Sequence, residues 1–312
     1  MKKYALLILI IFFVGCEPSH NPYDNMDYRK GTEGIVLRFA DDSPPSKIYD
    51  DTEVNLLLEV SNRGANDIEE NDAFVYLSGF DPEAMSFEGS SQGKTFEKAI
   101  TATKGKNPYM PEGGYNLLEF KGQGKVHVPY GDSYSPTIMA TSCYKYQTIA
   151  TPTVCVISSP GDIIKQDICT PTPIDMDSQG GPVAVTRVEE EVLQQELNFI
   201  VTVKNVGNGK VLNPETESMN NCPFQLTHKD LDIVKIDLEM SGAGEVICNP
   251  EDKKIRLVDG KGVIFCRVPI ELETSFTTPL VITLDYGYST SITRQITIAR
   301  PPGSTYERQN QK

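Results

Sequence analysis

Glu53-Val54-Asn55-Leu56-Leu57-Leu58-Glu59-Val60-Ser61-Asn62-Arg63-Gly64 returns later as Glu196-Leu197-Asn198-Phe199-Ile200-Val201-Thr202-Val203-Lys204-Asn205-Val206-Gly207. The offset is 143 residues without a gap, and Glu, the first Asn, the last Val, the second Asn and Gly are identical. In both copies apolar residues alternate, with Val54, Leu56, Leu58 and Val60 on one face and Leu197, Phe199, Val201 and Val203 on the equivalent one. That period of two predicts a half-buried strand. Asn-x-Gly after it reads as a strand-ending turn, because Asn and Gly accept positive φ. Leu57 and Ile200 interrupt the polar face, which predicts that it is partly covered.

Working outward, two further blocks repeat in the same order. Lys121-Gly122-Gln123-Gly124 and Val128-Pro129 echo Asp259-Gly260-Lys261-Gly262 and Val268-Pro269. Pro136 to Tyr146 echoes Pro279 to Tyr288 with one gap, bringing Tyr144-Lys145-Tyr146 onto Tyr286-Gly287-Tyr288. Gly-x-Gly between apolar runs reads as a hairpin turn. Leu280, Ile282 and Leu284 alternate toward the C-terminus, and Tyr288-Ser289-Thr290 reads as a turn into a strand carrying Ile292, Ile296 and Ile298. Arg187 to Gln195 is either a helix or a charged strand flank. Strands about every ten residues predict an all-β fold of two tandem Ig-like antiparallel β-sandwiches, produced by duplication.

The expected organisation is a signal peptide over 1–15, a polar tether over 16–31 and a first sandwich over 32–157. A Pro- and Gly-bearing linker over 158–182, a second sandwich over 183–300 and a disordered tail over 301–312 follow. The start, Met1-Lys2-Lys3 followed by an apolar run to Val14, has the form of an export signal. It is shorter than the roughly 20 apolar residues that span a bilayer. Phe13-Val14-Gly15-Cys16 resembles a lipobox, the lipidation motif of prokaryotic lipoproteins, with Phe13 where Leu is usual. The resemblance implies a lipid on Cys16, which becomes the mature N-terminus on the extracellular face of the cell membrane.

Glu53 to Gly64 and Glu196 to Gly207, with Tyr144 and Tyr286 in support, resemble CARDB-type Ig-like modules. These are adhesion-related domains of prokaryotic surface proteins, and the paired arrangement is similar to archaeal surface lipoproteins. The resemblance spans about residues 32 to 300 and implies adhesion, interaction or envelope structure without catalysis.

A formal net charge of −14 repels phosphates and sets nucleic acid aside. It equally repels anionic headgroups, so membrane attachment requires the lipid. With Cys16 lipidated, six cysteines remain in an exported chain, which points to disulfides. Spacing ranks Cys155 with Cys169 and Cys248 with Cys266 first, and leaves Cys143 and Cys222 over. No Cys-x-x-Cys, nucleophile motif or phosphate loop occurs, so no catalytic residue, metal or cofactor is assigned. Asp175 to Gly180 has alternating oxygen ligands but lacks the rest of a calcium loop and reads as solvated linker. The partner expected is an extracellular protein or glycan. The alternative reading is a carbohydrate-binding or accessory module of a secreted system. Tyr109, Tyr115, Tyr130 and Tyr134 would be its sugar-facing platform, with core or strand roles as the competing account.

Overall fold

The computed structural model describes residues 28–87, 96–126, 131–157, 169–193, 196–242, 245–269 and 275–302. Cys16, the signal segment, most of the tether, Tyr130 and nearly all of the tail lie outside them. The first half contains β1 (Ile35–Phe39), β2 (Lys47–Tyr49), β3 (Glu53–Asn62), β4 (Ala73–Ser78) and β5 (Met85–Phe87). It continues with β6 (Phe96–Ala99), β7 (Tyr115–Gly124), β8 (Ser133–Tyr134), β9 (Thr137–Ala150) and β10 (Thr153–Val156). The second half contains β11 (Ile174–Asp175), β12 (Val183–Val192), β13 (Glu196–Asn205) and β14 (Lys210–Leu212). After a short helix, α1 (Thr216–Asn221), come β15 (Ile233–Met240), β16 (Ile247–Asn249), β17 (Lys254–Arg256), β18 (Lys261–Pro269), β19 (Phe276–Gln295) and β20 (Thr297–Ala299).

The quoted repeat forms β3 and β13. Val54, Leu56, Leu58 and Val60 are buried, as are Leu197, Phe199, Val201 and Val203. Each such side chain removes roughly 1.5–3 kcal/mol worth of apolar surface from water. The strands around them match: β1-β3-β7-β5 in the first half, and β12-β13-β18-β16 with β11 added at the edge in the second. The fold is thus all-β, built chiefly from antiparallel sheets in a duplicated sandwich arrangement, with one parallel pair between β2 and β20.

The halves are not separate beads. One eight-stranded sheet contains strands of both, in the order β17-β15-β19-β9-β4-β6, with β10 and β14 also paired to β19. Its centre is the antiparallel pair of β9 and β19, from Thr137 opposite Gln295 to Ala150 opposite Ile282. β10 continues the same register from Thr153 opposite Pro279 to Val156 opposite Phe276. The break between β9 and β10 falls at Pro152, which has no N–H to give a ladder. Even-numbered residues of both long strands face the cores. The alternation runs unbroken through Tyr286, Tyr288 and Thr290, so β19 is one 20-residue strand. The turn expected at Tyr288-Ser289-Thr290 does not exist.

Several local expectations need correction. Of the two readings of Arg187 to Gln195, strand is the one found as far as Val192, within β12. The helix lies instead at Thr216–Asn221, in an insertion peculiar to the second half. Gly-x-Gly marks a hairpin only once: Asp259 and Gly260, at φ 51° and 73°, turn between Val258 and Lys261. Lys121–Gly124 lies inside β7, paired with β5 and β3, so this block of the repeat has no common structure. The 158–182 stretch is not plain linker where it is described. Ile174–Asp175 is an edge strand, and Gln179 is buried, its side chain bonded to Val185 N and O, both at 3.0 Å. At the chain's other end β20 leaves the second half and pairs with β2 and β8 of the first.

Candidate functional site

In β9 and β19 Tyr144 lies opposite Tyr288, Lys145 opposite Gly287 and Tyr146 opposite Tyr286. Tyr144-Lys145-Tyr146 and Tyr286-Gly287-Tyr288 are also the repeated triplets. A pseudo-twofold axis therefore passes through the Lys145–Gly287 pair. On the core side four tyrosine rings close a circle around it, with centroids 5.9–6.3 Å apart. Burial pushes all four phenols above their ordinary pKa, Tyr144 and Tyr286 furthest.

The Tyr146, Tyr286 and Tyr288 hydroxyls satisfy the backbone where the halves meet. Asn66 N donates to Tyr146 Oη (3.1 Å), and Gly209 N donates to Tyr288 Oη (2.8 Å). Tyr146 Oη donates to Gly180 O (2.8 Å), and Tyr288 Oη to Asn205 Oδ1 (3.0 Å). The repeated Asn locks its own loop in both halves. Gly64 N and Gly207 N donate to Asn62 and Asn205 Oδ1, each at 3.2 Å. Asn62 and Asn205 Nδ2 donate to Asn66 O (2.8 Å) and Gly209 O (3.0 Å). Neither Asn nor Gly of the motif has positive φ. Gly is required because a Cβ would lie 1.7 Å from Tyr146 Oη at residue 64, and 2.5 Å from Tyr288 Oη at residue 207. Close approach, not turn conformation, explains the motif.

On the outer side of the same sheet the axis separates two grooves. Gly287 makes room for Met219 of α1, whose Sδ would be 2.5 Å from a Cβ there. The insertion is held down by the Cys143–Cys222 disulfide and by Asp230. The Ser218 and Thr227 hydroxyls and the Thr227 N–H all donate to the Asp230 carboxylate and lower its pKa to about 2. The first groove, about 840 Å³, runs over Lys145, Gln147 and Asp285. Six carboxylates and three lysines line it. Lys145 pairs with Asp72 at 2.9 Å, Lys254 with Glu215, and Gln147 Nε2 donates to Asp285 at 2.8 Å. At its rim Asp67 is held below the ordinary carboxylate pKa: partial burial opposes this, but the Lys104 ammonium and Gly105 N–H outweigh it. The second groove, about 480 Å³, lies over Thr141, Ser289 and Ser291, and among the described residues Lys210 is its single charged lining residue. The two are counterparts: Asn66 and Asp67 of the first stand where Gly209 and Lys210 stand in the second, and Gln147 where Ser289 stands.

The tyrosines expected to form a platform do not converge. Tyr109 is fully exposed in the Asn107–Met110 turn, and Tyr115 opens β7 on its outer face. Tyr134 is partly buried against the core and accepts from Asp81 N at 2.8 Å. It pairs with Ile298, which packs at Gly124, the far end of β7, about 30 Å from Tyr115 at strand spacing. Tyr130 is outside the described residues. Disulfides join Cys155 to Cys169 and Cys248 to Cys266, and Cys143 and Cys222, left over by spacing, form the third. Among the described residues no group of His, Cys, Asp and Glu is placed to hold a metal ion, and no helix is long and apolar enough to cross a membrane. The grooves themselves escaped sequence reading. Their one sequence signal was the repeated Tyr-x-Tyr, whose outward neighbours line them.

No family model matches the chain, and no curated protein does. Among solved structures, the secreted serine protease VesC from Vibrio cholerae is 10% identical over 84% of this chain and 50% of its own, with a TM-score of 0.20. The chain thus spans about half the length of that protease. The C-terminal globular domain of an oligosaccharyltransferase from Pyrococcus abyssi is 9% identical over 81% and 45%, at 0.23. The sporulation control protein Spo0M from Bacillus subtilis is 8% identical over 55% and 79%, at 0.18. At such scores none of these carries an argument about the present chain.

Proposed function

We propose that the protein is a non-catalytic, lipid-anchored interaction module of the outer cell surface. Cys16 anchors it, the following polar stretch lifts it, and the fused sandwiches present fixed surfaces to an extracellular protein or glycan. The observation that carries the reading is the continuous central sheet. Eighteen residues of β9 and β10 pair with eighteen of β19, so the halves are joined by backbone hydrogen bonds and not by a hinge. Such a frame suits presentation of loops and grooves at fixed spacing. Three disulfides support an oxidising, exported setting.

Two measurements test this. Mass spectrometry of the N-terminal peptide from native membranes is expected to find lipid on Cys16. An N-terminus beginning beyond Cys16 would remove the anchor. The purified protein is expected to bind isolated cell envelopes saturably, and absence of binding sinks the interaction role. Turnover of any surface polymer, abolished by one carboxylate substitution, would replace the reading with an enzymatic one.

A further inference from the structure

We propose that the second groove, on the outer face of β9 and β19 beside the insertion, is a binding site for an uncharged pyranose residue of a glycan. This rests on the interaction role just proposed and names the ligand class of one site. The groove's volume, about 480 Å³, lies within the range of small-ligand sites, about 300–1,000 Å³.

Its floor is a patch of hydroxyls on three adjacent strands, Ser78 of β4, Thr141 of β9, and Ser289 and Ser291 of β19. Thr141 and Ser291 lie opposite each other, and their hydroxyls hydrogen-bond at 2.8 Å. That bond leaves the pair a spare O–H and spare lone pairs, so it both donates and accepts. A sugar hydroxyl needs that pairing of capacities, whereas a carboxylate or an ammonium would use half of it.

One wall is Phe224. Its ring stands edge-on to Tyr76, with centroids 6.0 Å apart and planes at 89°, and half of the residue is exposed. The Cys143–Cys222 disulfide, two residues earlier in the chain, fixes the loop that carries it. An apolar ring held open beside a hydroxyl floor complements a pyranose, which has C–H bonds on its faces and hydroxyls at its rim. Lys210, paired with Ser289 across β14 and β19, supplies a donor at the far side.

Charge separates the candidate ligands. Among the described residues no carboxylate lines this groove, although the chain's net charge is −14, and the twin groove has six. Cationic ligands therefore find their counter-charges in the other groove. Polyanions are repelled by the field of the whole chain. A neutral, hydroxyl-rich ligand meets neither obstacle.

The test uses the purified full chain on an array of neutral and charged oligosaccharides, with calorimetric titration of whatever binds. Phe224→Ala removes the wall, and Ser291→Asp places a carboxylate on the exposed floor. Asp67→Asn, in the twin groove, is the control. Near-ultraviolet dichroism checks that each variant keeps its packing, and Ser291→Asp, on an exposed strand position, covers the case in which Phe224→Ala does not fold. Binding of a neutral glycan, weakened about tenfold or more by either groove variant and unchanged by the control, is expected. Binding unaffected by both groove variants, or confined to charged glycans, overturns the proposal. If no glycan binds while the protein still binds isolated envelopes, the sugar site falls and the interaction role stands. If neither binds, both fall.

Discussion

The two halves use the same residues to hold themselves together and different residues where they face outward. Asn62 and Asn205 close the same loop with the same bonds. Tyr146 and Tyr288 each cap a backbone amide beside that loop. Two residues along the strands from the axis the likeness stops: Gln147 stands in place of Ser289 and Asp285 in place of Cys143, and on the neighbouring chain Asp67 stands in place of Lys210. A duplicated strand pair constrains its core face through packing and through backbone amides that must be satisfied. The outer face has no such constraint, so one groove became charged and the other hydroxyl-lined. The comparison predicts which substitutions the halves should share and which should divide them.

The largest expected difference is covalent. Cys143–Cys222 ties β9 of the first half to the insertion of the second across 79 residues, and the residue equivalent to Cys143 in the second half is Asp285. Chain-entropy arguments assign a loop of that length about 4.5 kcal/mol, against about 3 for Cys155–Cys169 with its separation of 14. Paired Cys→Ala substitutions followed by urea denaturation measure both. An equal or smaller loss for Cys143–Cys222 would mean that the insertion contributes little to joining the halves.

Next come the two motif glycines. Gly64→Ala pushes a methyl to 1.7 Å from Tyr146 Oη and 2.8 Å from Glu33 O. Gly207→Ala meets Tyr288 Oη at 2.5 Å and Pro182 Cβ at 2.8 Å. Both rings are buried and bonded, so neither can swing away. Overpacking of this kind costs about 1–3 kcal/mol, with Gly64→Ala at the upper end and Gly207→Ala below it. Thermal melts of the two single variants decide the order. If both are neutral, close approach to the tyrosines does not explain the glycines.

How much of this was legible in the sequence depended on range. The alternation in Glu53–Asn62 and Glu196–Asn205 is a local signal, and both strands face as it requires. The pairing of Thr137 with Gln295 joins residues far apart in the chain, and no local pattern announces it. That is why two independent modules were expected and one shared sheet was found. Tyr288-Ser289-Thr290 looked like turn chemistry because small polar residues also suit a strand that, at Gly287, must pass beneath Met219. The tyrosines of the expected platform were grouped by nearness in sequence, but a ten-residue strand separates its ends by about 30 Å. The insertion, with its helix and its disulfide, carried no signal above a polar, Pro-bearing loop.

The finest difference lies at the tyrosine circle, where the halves differ by one hydroxyl. Tyr286 Oη shares a hydrogen bond with Thr148 Oγ1 (2.7 Å) and accepts from Val183 N (3.2 Å). Tyr144 has the equivalent neighbours, Thr290 and the Ile35 amide, but closes no hydrogen bond of full geometry. The halves differ here at Ser142, where the second half has Leu284: Ser142 Oγ pairs with Thr290 Oγ1 at 2.9 Å, which turns that hydroxyl toward Ser142. Tyr286→Phe should therefore cost about 1–3 kcal/mol, because it strands the buried Val183 amide, whereas Tyr144→Phe should be close to neutral. Ser142→Ala sharpens the point. It frees Thr290 to bond Tyr144 as Thr148 bonds Tyr286, so alone it should change stability by less than about 0.5 kcal/mol. In that background, however, Tyr144→Phe should now cost about 1 kcal/mol. A double-mutant cycle on Ser142 and Tyr144 reads this coupling directly. A coupling of zero would mean that Thr290 does not turn toward Tyr144, and that something other than Ser142 sets the two hydroxyls apart.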